Sequence, residues 1–185
     1  MNGRVFLWVI LCVLSLIPSV EASESEWKEL NQKISILHAE GNHAEATGVA
    51  QKALDVAKKT YGDGHLNVAK SMNNLANLYL LEGKSRGGEA AELYQKAIAI
   101  EEKVLGKDHP DIADTLFNFA MLYVSLEKHN QATPLLERSL AIKEKKLGKE
   151  HPASLKVKKA LEKSRKSPDE SSFNNMKRLK ELHFT

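Results

Sequence analysis

The chain is almost without cysteine. Its one thiol, Cys12, lies inside an apolar stretch near the start, so a mature chain beginning after that stretch would hold none. Disulfides, thiol nucleophiles and cysteine-based metal sites are then excluded, and an oxidising compartment presents no hazard. Long hydrophobic runs are equally scarce. Only Val5 to Ile17 is apolar throughout, Ser15 apart. As a helix those 13 residues reach about 20 Å, short of the ~30 Å hydrocarbon core. Nor is there a strong charge of one sign: 27 basic residues face 24 acidic ones. The surplus sits at the end, where nine Lys and Arg from Lys156 onward face four Asp and Glu, and residues 23–155 are slightly acidic. The basic balance is therefore a property of the tail and does not point to nucleic acid.

What the chain has at its start is a three-part pattern. Arg4 precedes the apolar run, Pro18 breaks it, and Val20-Glu21-Ala22 places small residues where an export peptidase reads them. This is the layout of a secretory signal peptide. We expect residues 1–22 to be removed between Ala22 and Ser23, giving an exported protein, periplasmic or secreted, with no stable membrane span. The alternative is an uncut segment that anchors the chain. Ile10-Leu11 before Cys12 lack the small residues that lipid attachment requires.

A hinge recurs three times: Tyr61-Gly62-Asp63-Gly64-His65-Leu66, Leu105-Gly106-Lys107-Asp108-His109-Pro110 and Leu147-Gly148-Lys149-Glu150-His151-Pro152. From glycine to glycine the steps are 44 and 42 residues. A period in this range marks stacked repeats rather than one closed core. Between hinges the apolar residues keep helical spacing: Val68, Met72, Leu75, Ala76 and Tyr79, then Ile112, Leu116, Phe119, Ala120 and Tyr123. A second helix follows each of these, marked by Ala90, Leu93, Tyr94, Ala97 and Ile98 and by Ala132, Leu135, Leu136, Leu140 and Ile142. Lys-rich ends followed by glycine suit helix C-termini, and Pro110 and Pro152 suit helix starts. The spacing predicts helix pairs over about 26–61, 68–105 and 112–147. A closing helix over 154–165 should turn Leu155, Ala160 and Leu161 inward. The turn Gly83-Lys84-Ser85-Arg86-Gly87-Gly88 is two residues longer than its later counterpart, and its glycines predict a loosened turn. Residues 167–185 read as a polar, basic and partly disordered tail.

Asn73-Asn74-Leu75-Ala76-Asn77-Leu78-Tyr79, followed by Ala90-Ala91-Glu92-Leu93-Tyr94-Gln95-Lys96-Ala97-Ile98, resembles the tetratricopeptide repeat of the kinesin light chain type. The Leu105-Gly106-Lys107-Asp108-His109-Pro110 linker resembles the one that lengthens that type. The resemblance covers about 26–160. It implies an all-α fold, a right-handed α-solenoid of three helix-turn-helix pairs with a C-terminal capping helix, spanning residues 23–166. It also implies that the first helix of each pair lines a concave groove. Lys70, Asn73, Asn74 and Asn77 would face it from one helix, and Asp114, Phe117, Asn118 and Met121 from the next. In that family, asparagines at the positions of Asn74 and Asn118 bond the backbone of an extended peptide, which suits a side chain that both donates and accepts. Phe117 and Met121 add adaptable apolar contact. Alternatively, the asparagines only hydrate the groove or bridge neighbouring helices. Asp114 stands where a carboxylate clamp would need a cation.

Catalysis finds no support in the sequence. The seven histidines lie mostly in hinges and turns, and those in the hinges recur with the period, which points to one structural role repeated. Glu101-Glu102 reads as a solvated helix face. We expect no enzyme activity, no metal and no cofactor. The expected function is binding of a protein or peptide segment in the groove, with self-association as a structural scaffold the alternative.

Overall fold

A computed structural model of the chain describes residues 20–166. Among them are seven α-helices: α1 Val20–Ala39, α2 His43–Tyr61, α3 Leu66–Leu81, α4 Gly87–Leu105, α5 Pro110–Ser125, α6 His129–Leu147 and α7 Pro152–Lys166. Each helix packs against the next, and α3 also touches α5 directly. Three helix-turn-helix pairs thus stack into an α-solenoid closed by α7. Ala22 and Ser23 lie in the first turn of α1. The apolar run that carries the signal-peptide reading lies outside the described residues, as does the tail from 167.

The second helices carry alanine at many of their buried positions. Ala46, Ala50, Ala53 and Ala57 on α2, Ala90 and Ala97 on α4, and Ala132 on α6 are all buried. Larger groups from the first helices fill the space between, including Leu75, Ile112, Leu116 and Phe119. Alanine loses no side-chain entropy in a helix, so these positions serve local propensity and close approach together. Trp27 opens the first pair. Its Nε1–H donates to Ser71 Oγ at 2.9 Å, tying α1 to α3, and its ring meets Tyr61 edge to face.

The hinges are built alike. Gly62, Gly106 and Gly148 have φ of 80°, 82° and 94° with ψ near 155°. Their φ is positive, as helix-ending glycines require, but ψ is extended, in a region that glycine alone occupies readily. Three residues on, His65, His109 and His151 turn Nδ1 onto the N–H of Asn67, Asp111 and Ala153, at 3.1, 3.3 and 3.2 Å. Each ring caps the next helix in place of the usual Ser or Asp. The repeated role of these histidines is helix capping.

Two expectations need correction. The long turn is pinned rather than loosened. Lys84–Arg86 forms a short 3-10 helix, and the Arg86 guanidinium lies 3.5 Å above the Tyr79 ring while pairing with Glu82 and Glu89. The Thr47 hydroxyl, with Arg86, holds the Glu82 carboxyl below its usual range, and Lys84 reaches Glu127 in the following turn at 2.8 Å. Gly87 is there for space: a Cβ would lie 2.9 Å from Leu126 Cδ1. In α7 the inward residues are Ser154, Val157, Leu161 and Ser164, whereas Leu155 is 42% exposed. Helix α7 packs mainly against α6, and Val157 and Leu161 also join Ala120 of α5 in one apolar cluster, so its buried stripe follows those contacts.

Candidate functional site

Helices α1, α3, α5 and α7 follow one another along one side of the stack, and the polar residues expected to line a groove lie on them. The structure brings these residues together mainly by tying helix to helix. Asn74 Nδ2 donates to Asn31 Oδ1 at 3.0 Å, linking α3 to α1. Asn73 Nδ2 donates to Thr115 Oγ1 at 3.2 Å, linking α3 to α5. Asn77 accepts the Tyr94 hydroxyl, whose pKa is raised by burial. Asp114 accepts from Lys143 Nζ at 2.6 Å. Bridging between helices therefore occupies part of each of these side chains.

The rest stays available. Lys70 is exposed, with Nζ 5.9 Å from the Trp27 ring. Lys156 on α7 places its ammonium 5.0 Å from the Phe117 ring, within cation–π range. Asn118 and Met121 are half-buried, and the Asn118 amide makes no hydrogen bond among the described residues. Phe117, Asn118 and Met121 thus form a patch on α5 with an unused donor and acceptor beside an aromatic edge.

Two clefts open along this side. One, of 190 Å³, lies between α1 and α3 and is lined by Ile34, Ser35, His38, Asn74, Asn77 and Leu81 among others. The other, of 380 Å³, lies between α3 and α5 over the end of α4, with Lys70, Asn73, Glu101, Asp111, Asp114 and Thr115 in its walls.

Glu101 is the residue that sequence reasoning misread. It is not on a solvated face: it is 7% exposed, while its neighbour Glu102 pairs with Arg138 on α6 at 2.6 Å. Thr115 Oγ1 donates to Glu101 Oε1 at 3.0 Å, but Oε2 is buried with no hydrogen-bond partner among the described residues, as is Asn73 Oδ1. Burial first, and the Asp111 and Asp114 carboxylates after it, push the Glu101 carboxyl up to about 7 against the Thr115 hydrogen bond. A signal was present. Ala90, Tyr94, Ala97 and Glu101 step by four, three and four, so Glu101 continues the buried stripe of α4. Lys143 ends the same stripe on α6, after Ala132, Leu136 and Ser139. Asn31 and Thr115, also unforeseen, are the partners the asparagines select.

The family model described as tetratricopeptide repeat matches residues 29–87 and 84–145. No curated protein matches. Among solved structures, a Podosopora anserina protein of kinesin light chain type with nearly identical TPR-like repeats is 24% identical, with a TM-score of 0.67. The match covers 80% of this chain and 67% of that one. A point variant of the same protein gives a TM-score of 0.66 at the same identity. BtubC (BKLC) from P. vanneervenii is 18% identical over 75% of this chain and 61% of its own, with a TM-score of 0.57. These likenesses are of fold.

Proposed function

The chain belongs to the tetratricopeptide repeat family, whose repeats generally mediate protein–protein interaction, and we propose that it is a non-catalytic module holding an extended partner segment along α1, α3, α5 and α7. The observation that carries this reading is the patch of Phe117, Asn118 and Met121. The Asn118 amide can meet one backbone N–H and one C=O of an extended chain without reading its sequence. Phe117 and Met121 give an apolar surface that adapts to the side chains alongside. Among the described residues no group of His, Cys, Asp and Glu is placed to hold a metal, and none of the helices is long and apolar enough to cross a membrane.

We further propose that the module acts after export, on the strength of the Arg4, Val5–Ile17 and Ala22 pattern. The partner is then a protein of the same compartment. A photo-reactive amino acid at Phe117, activated in the native compartment and followed by mass spectrometry, should capture a discrete protein through an extended segment. Crosslinks solely to a second copy of this chain would replace this reading with self-association.

A further inference from the structure

We propose that the cleft between α3 and α5 is a subsite for a primary ammonium, such as a lysine side chain of the bound segment, received by Glu101 and Asn73. The inference deepens the groove reading and rests on it only for the identity of the guest's carrier. Three observations support it. Thr115 Oγ1 takes a hydrogen bond from Asn73 Nδ2 at 3.2 Å and gives one to Glu101 Oε1 at 3.0 Å. The amide and the carboxylate thus share one hydroxyl and stand side by side. Each is left with one buried oxygen that no donor among the described residues reaches, and the glutamate is itself 7% exposed. Two acceptors without a donor call for a guest that only donates, and an ammonium does so threefold.

The walls have the matching sign. Asp111 and Asp114 from α5 add carboxylates, and the only cation among the lining residues is Lys70 from α3. Lys70 is drawn toward the Trp27 ring, and Lys143 from α6 is committed to Asp114. Asn73 and Glu101 both line the cleft with their unpaired oxygens buried, so a guest reaches them as the surrounding side chains give way. An aliphatic stem would lie along Leu66 and Leu105. Ionisation of Glu101, which falls near neutrality, makes the site competent, so capture strengthens as pH rises through about 7 while the guest ammonium keeps its charge.

The test uses Nα-acetyl-lysine methylamide and its norleucine counterpart, titrated at pH 8 into the protein comprising residues 23–185. Asn73 side-chain and Thr115 backbone signals are followed by NMR. The lysine probe should shift them saturably and bind about tenfold more tightly than norleucine, the difference expected for hydrogen bonds to a charged group. It should weaken severalfold at pH 6. Glu101→Gln, near-isosteric, should erase the preference, and Asn73→Ala should reduce it. Equal response to both probes, or a preference that survives in Glu101→Gln, would overturn the subsite. A second arm uses nine-residue acetylated peptide pools with Lys or norleucine fixed at the centre. Pools that bind alike sink the subsite and leave the groove reading standing. Lysine-probe binding without any pool binding does the reverse.

Discussion

Thr115 on α5 gives its hydroxyl proton to Glu101 on α4, across a 3.0 Å hydrogen bond buried between two repeats. One carboxylate oxygen is served by it and the other by no group among the described residues, so the charge on Glu101 costs the fold more than it returns. The carboxyl is pushed from 4.5 to about 7 in the folded chain. The folded state therefore holds a proton that the unfolded chain has already released between those two values. Stability from this group is full below about pH 4.5, falls as pH rises toward 7, and is flat above. The loss is roughly 3 kcal/mol from that displacement. Urea midpoints at pH 5 and pH 8 should differ accordingly for the wild type. In Glu101→Gln the contribution should vanish, leaving the variant the more stable of the two at pH 8. An equal pH dependence in both proteins would show that Glu101 keeps its charge when folded.

The pinned turn makes a distinction between adjacent glycines. Both Gly87 and Gly88 belong to α4, where alanine is favoured by about 0.5–1 kcal/mol on propensity alone. Gly88 has open space around a new Cβ, whereas at Gly87 it would meet Leu126 Cδ1 at 2.9 Å and Cδ2 at 3.0 Å. Gly88→Ala should thus raise the melting temperature, and Gly87→Ala should lower it relative to Gly88→Ala. Combining Gly87→Ala with Leu126→Ala tests the cause, because the pair should couple favourably in a double-mutant cycle. Additive effects would mean that Leu126 is not what keeps Gly87 bare.

The three hinges predict three matched caps. His65, His109 and His151 each accept a backbone N–H two residues on. Alanine at any one should cost about 1 kcal/mol, and Asp at the same position should recover it, since its carboxylate caps as well and suits the helix dipole. Chemical denaturation of the six single variants decides the matter. If Asp fails wherever Ala fails, the ring is wanted for packing rather than as an acceptor.

These hinges are also where the sequence was easiest to read. Period, glycines and prolines are local signals, and Gly62, Gly106 and Gly148 end helices because their backbone conformation excludes other residues. The misreadings share a different cause. Glu101 sits on the same stripe as Tyr94 and Ala97, but its charge suggested solvent, and only Thr115, 14 residues further on, makes its burial tolerable. Gly87 and Gly88 signalled freedom, yet Arg86 takes Tyr79, Glu82 and Glu89 at once. Leu155 belongs to a helix whose outer side has no following repeat among the described residues, so its apolar character says nothing about which way it faces. The groove asparagines were placed on the expected helices, but their partners Asn31 and Thr115 lie 43 and 42 residues away, beyond any local pattern.

Those partners separate two asparagines that the repeat makes equivalent. Asn74 gives part of its amide to Asn31, whereas Asn118 is half-buried and its amide makes no hydrogen bond among the described residues. Asn74→Ala should therefore act mainly on the fold, losing about 1 kcal/mol as a part-buried hydrogen bond disappears, with greater hydrogen exchange in α1, which loses this link to α3 and keeps the Trp27–Ser71 hydrogen bond. Asn118→Ala should leave the unfolding free energy within about 0.5 kcal/mol of the wild type and instead weaken partner binding. The loss of one or two backbone hydrogen bonds there corresponds to roughly five- to thirtyfold. Calorimetry with the captured partner segment, alongside urea denaturation of both variants, gives the two readouts. The opposite pairing, stability lost at Asn118 and affinity at Asn74, would move the binding surface from α5 toward the cleft between α1 and α3.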